Sequence, residues 1–247
     1  METLPLGQPS KGTVSVAFRW SVKEPEVVIS WDDIDAGGLN RIVPWRTFRW
    51  RRGQKHYSGA YWSATVKDHV IYESRLELAR LLLADFDASV HHIVAQPFLL
   101  RATVSGRERK HVPDFLLCTD AVPIVVDVKP GHRVARPENA FTFAWTKRVV
   151  ESKGWWYQVC SEPPRVELEN VRFLAGYRRD WLFETGLLGE LGVADLDGLP
   201  LGEALKAAPG YPRPLVRSAL LHLLWTQHFT FDLTVPLNHA TMLRRLA

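Results

Sequence analysis

The chain of 247 residues is poor in cysteine, in long apolar runs and in charge of one sign, and each shortage narrows the field. Only Cys118 and Cys160 occur, in no metal-type spacing, so buried reduced thiols are expected rather than a disulfide framework or a zinc finger. No His-x-x-x-His spacing exists either, and His92, His111 and His132 are not expected to act as metal ligands. No apolar run reaches the roughly 18 residues of a membrane-spanning helix. The first residues, Met-Glu-Thr-Leu-Pro-Leu-Gly-Gln, form neither a basic nor an apolar leader. A soluble, non-secreted protein is therefore expected.

Net charge is only +4, too small to announce a nucleic-acid partner, but its distribution is uneven. From Arg41 to Tyr57 there is no acid, while Arg41, Arg46, Arg49, Arg51, Arg52 and Lys55 alternate with Trp45, Phe48, Trp50 and Tyr57. Cations neutralise phosphates and flat side chains stack on bases, so Arg46, Arg49, Arg51, Arg52 and Lys55 are candidate contacts to DNA. The competing reading is a solvated strand pair with a packed aromatic face.

What is present in strength is hydrophobic content, 46%, enough for one main core and a small second one. The most informative stretch is residues 111–130, two β-rich runs joined by a turn at Thr119, Asp120 and Ala121, which read as an antiparallel hairpin. Strand alternation puts Asp127 and Lys129 on one face, with Ile124, Val126 and Val128 on the other. A turn centred between Asp120 and Ala121 pairs residues whose numbers sum to 241, which sets Asp114 against Asp127. Opposed carboxylates at a Cβ separation of roughly 5 Å repel unless a cation lies between them. Unpaired charges within apolar strands cost several kcal/mol, on the order of poorly compensated buried ions.

Residues 1–40 show little periodicity beyond one β-like run at 26–31, and read as a flexible or partner-dependent extension. Residues 74–87 read as a helix opened by Ser74 and Glu77 in a capping-box spacing. Glu73 lies one turn back, and either acid is a candidate for metal service, Glu77 competing with a purely capping role. Residues 91–104 read as one strand continuing past Gln96 and Pro97. Pro137 is suited to start a helix ending near Lys153 before Gly154, and residues 155–161 to a last core strand. Helix, three strands, helix and strand make an α/β layer with a mixed sheet. After Pro163 and Pro164 the texture turns helical, with segments at 170–179, 181–191, 201–208 and 215–226, a β-like run at 228–233, and a short helix from about Asn238. That order suggests a winged-helix-like module serving protein contact or base readout, its apolar segment at 215–226 being a core element.

Glu77 on a helix, Asp114 after a proline, and Asp127-Val-Lys129 on the next strand resemble the PD-(D/E)xK restriction-endonuclease-like core. More narrowly, Glu73-Ser-Arg-Leu-Glu77, Gln96-Pro97-Phe98, His111-Val-Pro-Asp-Phe115 and Val126-Asp-Val-Lys-Pro130 resemble TnsA, the endonuclease subunit of heteromeric transposases, across residues 45–161. The resemblance implies a mixed central sheet flanked by helices over residues 41–165, a mostly helical, winged-helix-like domain over 166–247, and 1–40 as an extension. It also implies a metal-dependent endonuclease that cleaves 5′ strands at transposon ends. Its catalytic residues would be Glu77, Asp114, Asp127 and Lys129, with Mg²⁺ (or Mn²⁺) held by Glu77, Asp114, Asp127 and the Val128 carbonyl. Double-stranded DNA, a TnsB-like strand-transferase and a TnsC-like AAA+ ATPase regulator would be its partners. Where TnsA can carry glutamine, Asp127 restores the acid-x-Lys form and favours an active nuclease. A restriction-like or phage-defence nuclease, or a non-catalytic DNA-binding assembly subunit, are the alternatives.

Overall fold

The computed structural model describes residues 14–46 and 57–245. They fall into two compact units, one formed by the described residues up to Arg80 with Ser89–Glu162 and the other by Leu81–Ala88 with the described residues from Pro163 onward. The architecture is α/β, with seven α-helices among the described residues.

The first unit runs β1 (Val14–Phe18), β2 (Val27–Ser30), β3 (Gly59–Ser63) and β4 (Asp68–Tyr72), then enters helix α1 (Arg75–Phe86), whose second half belongs to the other unit. It continues through β5 (Val90–Ala95), β6 (Leu99–Val104), β7 (Arg107–His111), β8 (Phe115–Thr119) and β9 (Ile124–Val128). The short helix α2 (Gly131–Val134), the helix α3 (Pro137–Glu151) and β10 (Trp156–Cys160) complete it. One sheet has the order β2-β1-β6-β7 and is antiparallel throughout. The other, β10-β9-β8-β5, is mixed, because β10 runs parallel to β9. Between them lies a core of Val16, Phe18 and Leu100 from the first sheet and Val94, Leu116 and Val125 from the second, joined by Phe98 just before β6 and by Trp145 and Val149 of α3. Trp31 sits in this core at ring-centroid distances of 5.7 Å from Phe98 and 5.2 Å from Trp155.

Three sequence expectations are corrected here. Residues 14–40 are not an extension: β1 lies inside its sheet, with Val16 paired to Ile29 on one side and Leu100 on the other and wholly buried. Five residues of Val-Ser-Val-Ala-Phe are too short to show a clear period, and burial on both faces removes the alternation that would have marked them. Residues 91–104 are not one strand. Gln96 takes φ +45° and Pro97 has no N–H to donate, so the chain turns a corner there, β5 staying in the mixed sheet and β6 joining the antiparallel one. Likewise the run from His111 breaks at Pro113, leaving His111 at the end of β7 in one sheet and Asp114 just before β8 of the other.

The second unit holds α4 (Arg165–Leu174), α5 (Thr185–Val193), α6 (Leu201–Ala204), α7 (Arg213–Trp225) and a two-stranded ladder of β11 (Phe229–Thr230) with β12 (Arg244–Arg245). Helix α7 is a core element, burying Val216, Leu220, Leu221, Leu224 and Trp225. The helix expected from Asn238 does not form. The Asn238 carboxamide oxygen accepts from Ala240 N–H (2.7 Å) while its own N–H donates to Thr241 Oγ1 (2.9 Å), a local turn that competes with helix.

The position of Trp31 gives a test of the corrected N-terminal boundary. Trp31→Ala should lower unfolding stability by about 3–5 kcal/mol, the usual cost of deleting a buried aromatic, read as a shift of the urea midpoint at unchanged slope. A silent substitution would return residues 14–40 to the status of an appendage.

Candidate active site

The β8–β9 hairpin has the register that the sequence predicts: Phe115 faces Val126, Leu116 faces Val125 and Leu117 faces Ile124, each pair summing to 241. Asp114 lies one residue before β8, beyond the last of these pairs. Its N–H donates to the Val126 carbonyl (3.0 Å), and its Oδ2 accepts from the Val128 N–H (2.6 Å). This second bond ties the carboxylate to the strand that carries Asp127. Burial pushes the Asp114 carboxyl well above the usual range, the charges of Asp127 and Glu77 push the same way, and Lys129 opposes them.

Asp127 is almost wholly enclosed, at 2% exposure, and its oxygens are held from two other strands. His111 Nε2, at the end of β7, lies 2.9 Å from Oδ1 and 2.8 Å from Oδ2. The Tyr157 hydroxyl, from β10, donates to Oδ2. Tyr157 is a dependable donor, because burial and the charge of Asp127 both raise its phenol. The His111 ring meets Trp145 edge-on at 6.2 Å. Beside it opens a cleft of about 640 Å³ lined by Arg109, Lys110, Phe141 and Trp145, in which the Arg109 guanidinium lies 5.0 Å over the Phe141 ring.

Glu77 is fixed at the start of α1. Its N–H donates to Ser74 Oγ (3.1 Å), Ser74 Oγ donates to Glu77 Oε1 (2.9 Å), and Glu77 Oε2 accepts from the Glu73 N–H (2.6 Å). This is a capping box whose return bond reaches one residue further back than usual. Burial raises the Glu77 carboxyl, against which its hydrogen bonds to Glu73 and Ser74 act, with a smaller opposing effect from Lys129. Lys129 thus lies near both Glu77 and Asp114, and its ammonium has no ion pair or hydrogen bond among the described residues. Gln96 ties the pieces together. Its N–H donates to the Asp114 carbonyl (2.8 Å), its carbonyl accepts from Trp45 N–H (2.8 Å), and its Nε2 donates to Glu73 Oε1 (2.6 Å).

The structure therefore gathers Glu77, Asp114, Asp127 and Lys129 into one electrostatic neighbourhood, with Val128 contributing its N–H to Asp114. Arg46 is exposed, and Arg49, Arg51, Arg52 and Lys55 lie outside the described residues. His111, Tyr157 and Gln96 escaped the sequence reading as partners of the acids. His111 stands three residues before Asp114 and Gln96 before a proline, which were the available signals. Tyr157, on a strand thirty residues from Asp127, had none.

Among the described residues no group of three or more His, Cys, Asp or Glu side chains is close enough to share one metal ion. A magnesium-type ion asks for less, being held by one or two carboxylates with waters and substrate phosphate completing its shell. Asp127 Oδ2 already accepts from two donors, whereas Oδ1 accepts from His111 alone; Asp114 has one oxygen bonded to Val128 N–H. With about two acceptor positions per carboxylate oxygen, each acid keeps capacity for a hard cation. Scanning against protein-family models finds no match, and no curated protein is significantly similar to the chain.

The Asp114 shift has a measurable sign. An acid whose folded pKa lies above its unfolded value of about 3.9 keeps a proton that the unfolded chain has released, so stability falls as pH rises from that value through the folded pKa. Glu77 acts in the same direction. Asp114→Asn keeps an acceptor for Val128 N–H and removes the charge. Without metal, its melting temperature should exceed that of the parent near neutral pH, with the advantage shrinking towards about pH 4. An offset that does not vary with pH would contradict the buried-charge account.

Proposed function

We propose that the chain is a metal-dependent DNA endonuclease of the TnsA type, built on a restriction-endonuclease-like core. The observation that carries this reading is the closeness of two buried carboxylates, Asp114 and Asp127, at one end of the β8–β9 hairpin, with Lys129 and Glu77 near Asp114. Paired carboxylates within a hydrophobic hairpin are a costly arrangement with no stabilising role of their own, and such arrangements concentrate at functional sites.

Phosphodiester hydrolysis needs a water activated near neutral pH and relief of negative charge on the phosphorane. A bound Mg²⁺, or Mn²⁺ in its place, supplies both kinds of assistance. Asp114, Asp127 and the Val128 carbonyl would hold it, with Glu77 a direct or water-mediated ligand. Lys129, which forms no ion pair among the described residues, is suited to pair with the scissile phosphate and to orient the attacking water. The buried hydrogen bonds on Asp127 and Asp114 keep both carboxylates from rotating away. DNA at transposon ends is the proposed substrate, with Arg46, Arg49, Arg51, Arg52 and Lys55 on its backbone. A TnsB-like strand-transferase and a TnsC-like ATPase are the proposed partners in the cytoplasm, the second unit serving as a winged-helix-like docking module.

Asp114→Ala and Lys129→Ala should each lower nicking of end-containing DNA by about 10²–10³-fold or more, the scale of lost electrostatic stabilisation, while melting curves stay cooperative. Wild-type rates in either variant would sink the assignment. Glu77→Gln separates the two roles of that residue. As a cap alone, it should cost about 1 kcal/mol or less; as a metal-orienting carboxylate, it should slow nicking and raise the metal requirement with little change in melting. Glu73→Gln is the comparison one turn away, and cleavage lost there but kept in Glu77→Gln would move the role to Glu73.

A further inference from the structure

Asp127 differs from Asp114 in how its oxygens are used. Asp114 receives one backbone donor, as any strand-end acid might in a well-formed hairpin. Asp127 receives its donors from side chains on two separate strands, one of them in the other sheet. His111 Nε2 bridges both oxygens, and the Tyr157 hydroxyl adds a second donor to Oδ2 alone. Oδ2 is thereby filled and Oδ1 retains room. The two donors do not merely offset the cost of burying a charge. They fix which oxygen of Asp127 stays available and in which rotamer it is presented.

We infer that His111 and Tyr157 are positioning residues that lock the Asp127 carboxylate so that Oδ1 is presented to a divalent cation. The inference rests on the nuclease reading for its ligand but adds residues that the reading does not require. The supports of each donor are themselves fixed. His111 is held at the end of β7, where it pairs with Leu100, and its ring packs against Trp145 of α3. Tyr157 is paired with Val125, the residue two before Asp127 on the same strand face, so its ring lies alongside the carboxylate it serves. Groups that orient a metal ligand through hydrogen bonds typically change metal affinity by about 10- to 100-fold when removed.

The test is Tyr157→Phe, which keeps the ring and deletes only the donor, together with His111→Gln, which restores an N–H, and His111→Leu, which does not. Mn²⁺ is titrated calorimetrically into each full-length protein without DNA, and the Mn²⁺ concentration for half-maximal nicking is measured in parallel. Tyr157→Phe and His111→Leu should bind Mn²⁺ about 10- to 100-fold more weakly than the parent, with His111→Gln recovering part of the loss. At saturating Mn²⁺ the nicking rate of Tyr157→Phe should approach that of the parent, because the ligand itself remains. A purely structural role would lower melting temperature and leave both metal readouts unmoved, which would overturn the inference. So would tighter Mn²⁺ binding, since it would mean that the two donors compete with the cation. If Tyr157→Phe fails to fold, the His111→Gln and His111→Leu pair decides alone, equal affinities refuting the proposal. A parent that nicks DNA with variants unchanged rejects the positioning role only. A parent that binds Mn²⁺ more tightly than Tyr157→Phe yet never nicks DNA rejects the nuclease reading only. Absence of Mn²⁺ binding by the parent rejects both.

Discussion

A carboxylate placed in the interior of a sheet must be compensated, and in the first unit the buried Asp127 dictates much of the surrounding design. An uncompensated ion there would cost several kcal/mol, on the order of what a single mutation can do to a whole domain. Compensation comes from His111 and Tyr157, so two strands must end or pass where these groups can reach it. β7 belongs to the antiparallel sheet and β10 to the mixed one, and the carboxylate therefore acts as a polar tie between two layers that are otherwise joined by apolar contacts. The corner at Gln96 and the break at Pro113 are what allow β6 and β7 to leave the mixed sheet and β8 to return to it. Sheet switching and charge compensation are thus two aspects of one arrangement.

The local register of the hairpin was legible because a turn fixes pairing by counting, and the sum rule from Asp120 and Ala121 holds for the three pairs from Leu117 and Ile124 to Phe115 and Val126. The helix start was legible for a similar reason, since Ser74 and Glu77 act on their own backbone. Long-range pairings were not. Nothing in Val14–Phe18 states that it will sit between β2 and β6, because a short strand buried on both faces looks like any apolar run. The partners of Asp127 were hidden for the same reason: His111 reaches it from another sheet, and Tyr157 reaches it from a strand related through pairing rather than sequence.

The second unit shows the same contrast on a smaller scale. Helix α7 was readable from its leucines, but the residue that organises the following segment is Asn170 on α4. Its side chain donates to the carbonyls of Leu233 and Val235 and accepts from the Leu237 N–H, holding an irregular stretch in place. Asn170 is nearly buried, and its three bonds satisfy backbone groups that neither helix nor sheet would otherwise serve. A single asparagine within an amphipathic helix gives no sign of such a task. The β-like run expected at 228–233, just before that stretch, survives only as the two residues of β11.

The parallel pairing of β9 with β10 sets an order of assembly. An antiparallel neighbour can close through a tight turn, as β8 and β9 do, but a parallel neighbour must wait for a crossover of a dozen or more residues. Here that crossover is α3, and it must dock before β10 can lie beside β9. The hydroxyl of Tyr157 consequently reaches Asp127 only when the last strand of the unit is in place. Any half-built intermediate that buried the hairpin early would hold an acid short of one donor, and it would be penalised relative to the open chain. Completion of the fold and full compensation of Asp127 are therefore coupled, so that a chain without β10 leaves that carboxylate short of a donor.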